Sequence, residues 1–163
     1  MTNVVGVIRA LKLAGFFALA LAAAGCANKP NDPSQAGAGN ASPGSPQDFV
    51  VNVGDRVFFE SDSSELTPQS TTTLEKQVKW LQAYSQYTFT VEGHADERGT
   101  REYNIALGQR RAEGVKRMLV LMGATDSQVE PVSLGEEKPK CAEHAEGCWS
   151  QNRRSDMLYG GEY

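Results

Sequence analysis

Two histidines and three cysteines in 163 residues leave few ligands from which to build a transition-metal centre. The sequence carries no Ser-His-Asp set, no histidine-rich cluster and no glycine loop of the kind that cradles phosphates. Long apolar runs are also missing. The run Leu13–Ala24 spans about a dozen residues, short of the roughly 20 that cross a bilayer. Acidic residues are absent from the first 25 positions, which hold Arg9 and Lys12. Without that stretch, fourteen basic residues face twenty acidic ones, a net charge of −6. Such a surface repels phosphate backbones, which argues against nucleic acid as a partner. Between Ala27 and Pro46 there is neither an aromatic nor a β-branched residue.

What is present begins with a positive segment, a short apolar run and small residues, the pattern of an export signal over residues 1–25. Cys26 follows Ala23-Ala24-Gly25 directly and resembles the lipobox cysteine at which bacterial lipoproteins are cut and acylated. The resemblance implies stable anchoring through acyl chains, since two or more chains hold where one is marginal. Ala27, in place of Asp, implies passage to the outer membrane. Residues 26–48 then read as a lipidated cysteine and tether, too poor in apolar side chains to offset the entropy of ordering. Its twenty residues from Ala27 to Pro46 span about 25 Å as a flexible coil. Cys141 and Cys148 enclose six residues including His144. A metal reading needs a further ligand from elsewhere, whereas export permits a local disulfide, and the pair is read as a disulfide.

Residues 49–163 read as one folded domain. Arg56–Glu60 predicts a strand, Thr67-Pro68 a helix start, and Leu74, Val78 and Leu81 the buried face of that helix. Tyr87–Glu92 alternates as a strand does. Ile105, Gly108, Ala112, Val115, Leu119 and Met122 form the seam of a second helix, Arg101–Met122, which Gly123 ends. Val129–Leu134 predicts a third strand, and its Pro131 marks an edge. A short helical piece near Trp149 and a strand over Asp156–Tyr159 complete a β-α-β-α-β-β order. The expected fold class is α+β, a small mixed sheet with two main helices on one face.

The stretch Gly93-His94-Ala95-Asp96-Glu97-Arg98-Gly99-Thr100, followed by Glu102-Tyr103-Asn104 and Leu107-Gly108-Gln109-Arg110-Arg111-Ala112, closely resembles the signature of OmpA-like peptidoglycan-binding domains. Asn152-Arg153-Arg154 matches that family's closing motif, and the likeness runs from about Val51 to Tyr159. The resemblance implies a non-enzymatic wall-binding protein, without cofactor or metal, that grips meso-diaminopimelate in peptidoglycan. Asp96 would accept from the ligand's ammonium and Arg111 would fork onto its carboxylate, while Arg98, Leu107, Ser61 and Asp62 would line the same pocket. It further implies a place in the Tol system, with TolB and other Tol proteins as partners and support of envelope constriction at division. The alternatives are an OmpA-like lipoprotein outside that system, or a metal-dependent wall hydrolase using His94, Asp96 and His144.

Some positions depart from the family or stand apart from it. Ser61 occupies a place where the family usually has an aromatic ring, and Asp156 is unusually polar for a final strand. Asn104 is expected to fix the loop, and His94 to be a loop histidine hydrogen-bonded locally. Arg111 borders the apolar seam beside Ala112 and is expected to be dispensable for folding.

Cys26→Ser should leave the domain folded and abolish membrane attachment. Fractionation after wall digestion and a salt wash checks this, and a Ser variant still sedimenting with outer membrane would remove the lipid anchor from the account.

Overall fold

Four strands and four helices follow one another in the described part of the chain, residues 41–160 of a computed structural model. Cys26, the leader and most of the tether lie outside the described residues. The elements are α1 (Pro46–Asp48), a π-helical segment (Phe49–Val53), β1 (Arg56–Phe58), α2 (Pro68–Ala83), β2 (Phe89–His94), α3 (Arg101–Leu121), a 3-10 turn (Asp126–Gln128), β3 (Val129–Gly135), α4 (Glu146–Asn152) and β4 (Arg154–Tyr159). Residues 46–48, which composition placed in the tether, are helical, and the Asp48 carboxylate accepts from Trp80 Nε1 at 3.0 Å.

Both long helices begin where their caps predict. Thr67 Oγ1 accepts from the Ser70 amide at 3.1 Å with Pro68 at the first helical position, and Thr100 Oγ1 accepts from the Tyr103 amide at 3.2 Å. Gly123, at φ 109°, ends α3 with its amide on Val120 O. The strands lie in the order β1-β4-β2-β3. β2 pairs parallel with β3 and antiparallel with β4, and β1 pairs antiparallel with β4. Pro131 is therefore on an edge strand, where its missing amide costs least. The expected α+β class with a small mixed sheet holds. One sheet face, with Val57, Phe89, Val91 and Met157, packs under Leu74, Val78 and Leu81 of α2 and Ala112, Val115 and Leu119 of α3.

The strand bounds differ from expectation in an instructive way. β2 starts at Phe89 and continues through Gly93 and His94, and β4 starts at Arg154. Their second face is polar. Thr90, Glu92 and His94 alternate with the core residues of β2, and Glu92 lies opposite Asp156, itself opposite Arg56. Asp156 is matched by Arg154 Nε at 2.9 Å and Arg56 Nε at 3.5 Å, which accounts for a carboxylate in this strand. His94 is not a loop residue: it is buried within β2, its Nε2 3.5 Å from Glu92 and 3.7 Å from Asp156. Among the described residues neither ring nitrogen makes a hydrogen bond. Burial, with Arg154 and Lys138 adding to it, pushes its pKa down to about 3.

Gly93 and Gly108 bring α3 onto β2 backbone to backbone. A methyl group on Gly93 would lie 1.9 Å from Gly108 O, and one on Gly108 would lie 2.5 Å from Gly93 O. Gly93→Ala should therefore lower unfolding free energy by roughly 3 kcal/mol through overpacking. Denaturant titration measures it, and a change within about 0.5 kcal/mol would contradict this contact. His94 yields a pH prediction. Its folded pKa lies below the unfolded value of 6.5, so the unfolded chain takes up the proton first and stability falls as pH drops from 6.5 towards about 3. Glu92, held above its ordinary value chiefly by burial, opposes this at the acid end. His94→Gln should flatten the fall in melting temperature between pH 7 and 4, and an unchanged slope would contradict the assignment.

Candidate functional site

β1 and β2 run the same way, since each pairs antiparallel with β4, so their C-terminal ends share one end of the sheet. The turn after β1 carries Ser61 and Asp62 there, and the loop after β2 carries Asp96, Arg98 and Gly99. The N-terminal half of α3 contributes Tyr103, Asn104, Leu107 and Arg111. These nine residues line a cavity of about 490 Å³. All six residues singled out in the sequence, Ser61, Asp62, Asp96, Arg98, Leu107 and Arg111, are among them.

Arg111 is fully buried, at 0% exposure, and it is a structural tie as well as a cavity residue. Its Nε donates to Ser63 O at 2.8 Å, Nη1 to His94 O at 2.7 Å and Nη2 to Glu60 O at 3.1 Å. The guanidinium also lies 5.0 Å from the ring centre of Phe59. Against the expectation that folding is indifferent to Arg111, its removal would take a donor from three carbonyls, of which Glu60 O keeps the Ser63 amide at 3.3 Å. Burial lowers its pKa to about 10, partly offset by Asp96, so it stays a cation at neutral pH. A guanidinium has five N–H groups; three are used on carbonyls, which leaves Nη1 and Nη2 one apiece.

Asp96 is also buried and accepts from two arginines. Arg98 reaches it through its amide and Nε, both at 3.1 Å to Oδ1, and through Nη2 at 2.7 Å to Oδ2. Arg153 Nη1 lies 3.2 Å from Oδ2. Burial alone would push the Asp96 carboxyl up, but these hydrogen bonds outweigh it and hold the group below its ordinary value, ionised at neutral pH. Arg153 went unassigned in the sequence, where only its place in the closing motif marked it. Its role appears once β4 is set beside β2, and it is pinned by Phe59 O at 3.1 Å and by Glu146.

The remaining wall is polar and held in place. Asp62, at φ 54°, accepts from the Tyr103 hydroxyl, and Ser61 Oγ accepts from Arg98 Nη2 at 3.0 Å. Asn104 fixes structure as expected, donating to Glu136, and lines the cavity too. Cys141 and Cys148 form a disulfide. The segment it closes abuts the site: Glu97 accepts from His144 and from Trp149 Nε1, and the Arg98 guanidinium sits 4.3 Å from the Trp149 ring centre. His94, Asp96 and His144 are not brought together; each has different partners. Among the described residues no group of three His, Cys, Asp or Glu side chains is placed to hold a metal ion. A second hollow of about 610 Å³ flanks the far half of α3, but its charges are matched as Lys116–Asp126 and Arg117–Glu113.

Comparison with known proteins agrees with this architecture. The chain is 52% identical over 149 residues to a protein of Agrobacterium fabrum named peptidoglycan-associated lipoprotein, covering 88% of this chain and 84% of that one. A Pseudomonas aeruginosa protein of the same name is 43% identical, with 90% and 97% covered. Among solved structures, the peptidoglycan-associated lipoprotein of Burkholderia pseudomallei superposes with a TM-score of 0.63 at 46% identity, over 64% of this chain and 89% of that one. The C-terminal domain of Helicobacter pylori MotB, at 20% identity and a TM-score of 0.61, shares the fold, over 64% of this chain and 83% of that one. The sequence profile of the OmpA family matches residues 58–153, and the chain belongs to that family.

Proposed function

We propose that this protein is a non-catalytic tether: acyl chains on Cys26 hold it in the outer membrane, and its folded unit grips peptidoglycan through meso-diaminopimelate. The observation that carries the reading is the cavity at the sheet's end, where a buried carboxylate, Asp96, shares one lining with a buried guanidinium, Arg111. Meso-diaminopimelate presents an ammonium and a carboxylate on one carbon. Asp96 accepts from the first, and the two uncommitted N–H groups of Arg111 receive the second. Relatives bearing the name peptidoglycan-associated lipoprotein at 43–52% identity support peptidoglycan as the partner. The Ser61 hydroxyl on the cavity wall accepts from Arg98 Nη2 at 3.0 Å.

The wider setting rests on the family likeness. The protein acts in the Tol system with TolB and other Tol proteins as partners, maintaining outer-membrane integrity and helping the envelope constrict at division.

Asp96→Asn should weaken binding to isolated sacculi by roughly 2–4 kcal/mol, because the ligand's ammonium loses its charged acceptor. Arg111→Lys should bind poorly as well, since a point charge replaces a planar fork, and the two losses should not add. Arg111→Ala should in addition lower the melting temperature, as three carbonyls each lose one hydrogen bond. Sacculus pull-down beside thermal unfolding reads all of these. Wild-type binding by a folded Asp96→Asn variant would contradict the site.

A further inference from the structure

In the free protein Asp96 has no room for another donor. A carboxylate offers about four lone-pair sites, and Asp96 receives the Arg98 amide, Arg98 Nε, Arg98 Nη2 and Arg153 Nη1. A ligand ammonium reaches it only by displacing one of them. Arg153 is poorly placed to leave, with its side chain 5% exposed and also held by Phe59 O and Glu146. The Arg98 side chain is 40% exposed and borders the cavity. Its other contacts are the Ser61 hydroxyl, the face of Trp149 and Glu146 at 3.8 Å, none of which buries it.

We propose that Arg98 is a displaceable counter-ion, occupying on Asp96 the place of the ligand's ammonium, and that its release selects ligands whose ammonium adjoins a carboxylate. This rests on the reading of Asp96 as the ammonium acceptor. Displacing Arg98 frees a guanidinium at the cavity wall. A ligand with an ammonium alone satisfies Asp96 but leaves that guanidinium uncompensated. Glu146, the other carboxylate it touches, is already shared with Arg153 and is 62% exposed, so solvent weakens what it offers. A ligand carrying both charges completes the exchange: its ammonium takes Asp96, and its carboxylate lies between the freed Arg98 fork and the spare N–H groups of Arg111. Arg98 thereby adds to the preference that the hold of Arg111 on the carboxylate already gives.

Calorimetric titration of the full-length protein in detergent with two synthetic tripeptides tests the exchange. One is L-Ala-γ-D-Glu-meso-diaminopimelate; the other carries L-Lys in the third position and so lacks the side-chain carboxylate. Wild type should prefer the first by about tenfold or more. Arg98→Gln should narrow that preference by about threefold or more, leaving the part that Arg111 supplies, with the lysine peptide binding tighter than it does to wild type. Arg98→Lys, a looser latch that can still receive a carboxylate, should fall between them. Melting temperatures close to wild type are expected for both variants, since Arg153 remains on Asp96. An unchanged preference in folded Arg98→Gln, or equal binding of both peptides by wild type, would overturn the exchange. Binding of neither peptide by wild type would instead overturn the assignment of the cavity, and the exchange with it.

Discussion

A guanidinium with no exposure to solvent, Arg111, joins the turn after β1 to the end of β2 by donating to the carbonyls of Glu60, Ser63 and His94. Glu60 and Ser63 lie in the turn after β1 and His94 ends β2, and Glu60 O takes a second donor in the Ser63 amide at 3.3 Å. A buried carbonyl without a donor costs about 1–3 kcal/mol, so one side chain offsets several such penalties together. The arrangement depends in turn on Gly93 and Gly108, whose lack of side chains lets α3 come against β2 closely enough for Arg111 to span the gap. Packing of the apolar seam and placement of the cation are therefore one constraint. The same group that closes the fold leaves two N–H groups uncommitted at the cavity.

Around this tie the charges are arranged in matched sets. Asp96 balances Arg98 and Arg153, Glu146 engages the same two arginines, and Glu97 holds His144 and Trp149. The disulfide between Cys141 and Cys148 keeps this last group close to the loop after β2. A loop of this kind would be the most mobile part of a small α+β domain, and here it is braced from β4, from α4 and from the turn after β1. Of the two arginines on Asp96, the Arg98 side chain is the more exposed, at 40% against 5% for Arg153.

Much of this was legible from residue order alone. The 3-4 spacing from Ile105 to Met122 gave α3 to within a residue, Thr67-Pro68 gave the start of α2, and Pro131 marked an edge strand. The motif around Asp96 and Arg111 pointed to the residues that now line one cavity. What local pattern could not supply were the consequences of pairing between distant segments. Arg154 and Ser155 precede the strand expected over Asp156–Tyr159 and join it only once β4 is set between β1 and β2, where Arg56 and Glu92 flank Asp156. His94 looks like a loop residue because its burial comes from β3 and β4, far off in sequence. Arg111 looks like a surface neighbour of the seam because the three carbonyls it serves lie 17 to 51 residues away.

On the function proposed above, the Asp96–Arg111 cavity receives the zwitterionic end of a wall peptide. A crystal structure of the folded unit with a diaminopimelate-containing tripeptide tests it most directly. The ligand's side-chain ammonium is expected at about 3 Å from the Asp96 carboxylate, its carboxylate within the same distance of Arg111, and Arg98 turned off Asp96. Peptide bound elsewhere, or bound in the cavity with Asp96 and Arg111 contacting none of it, would contradict the account.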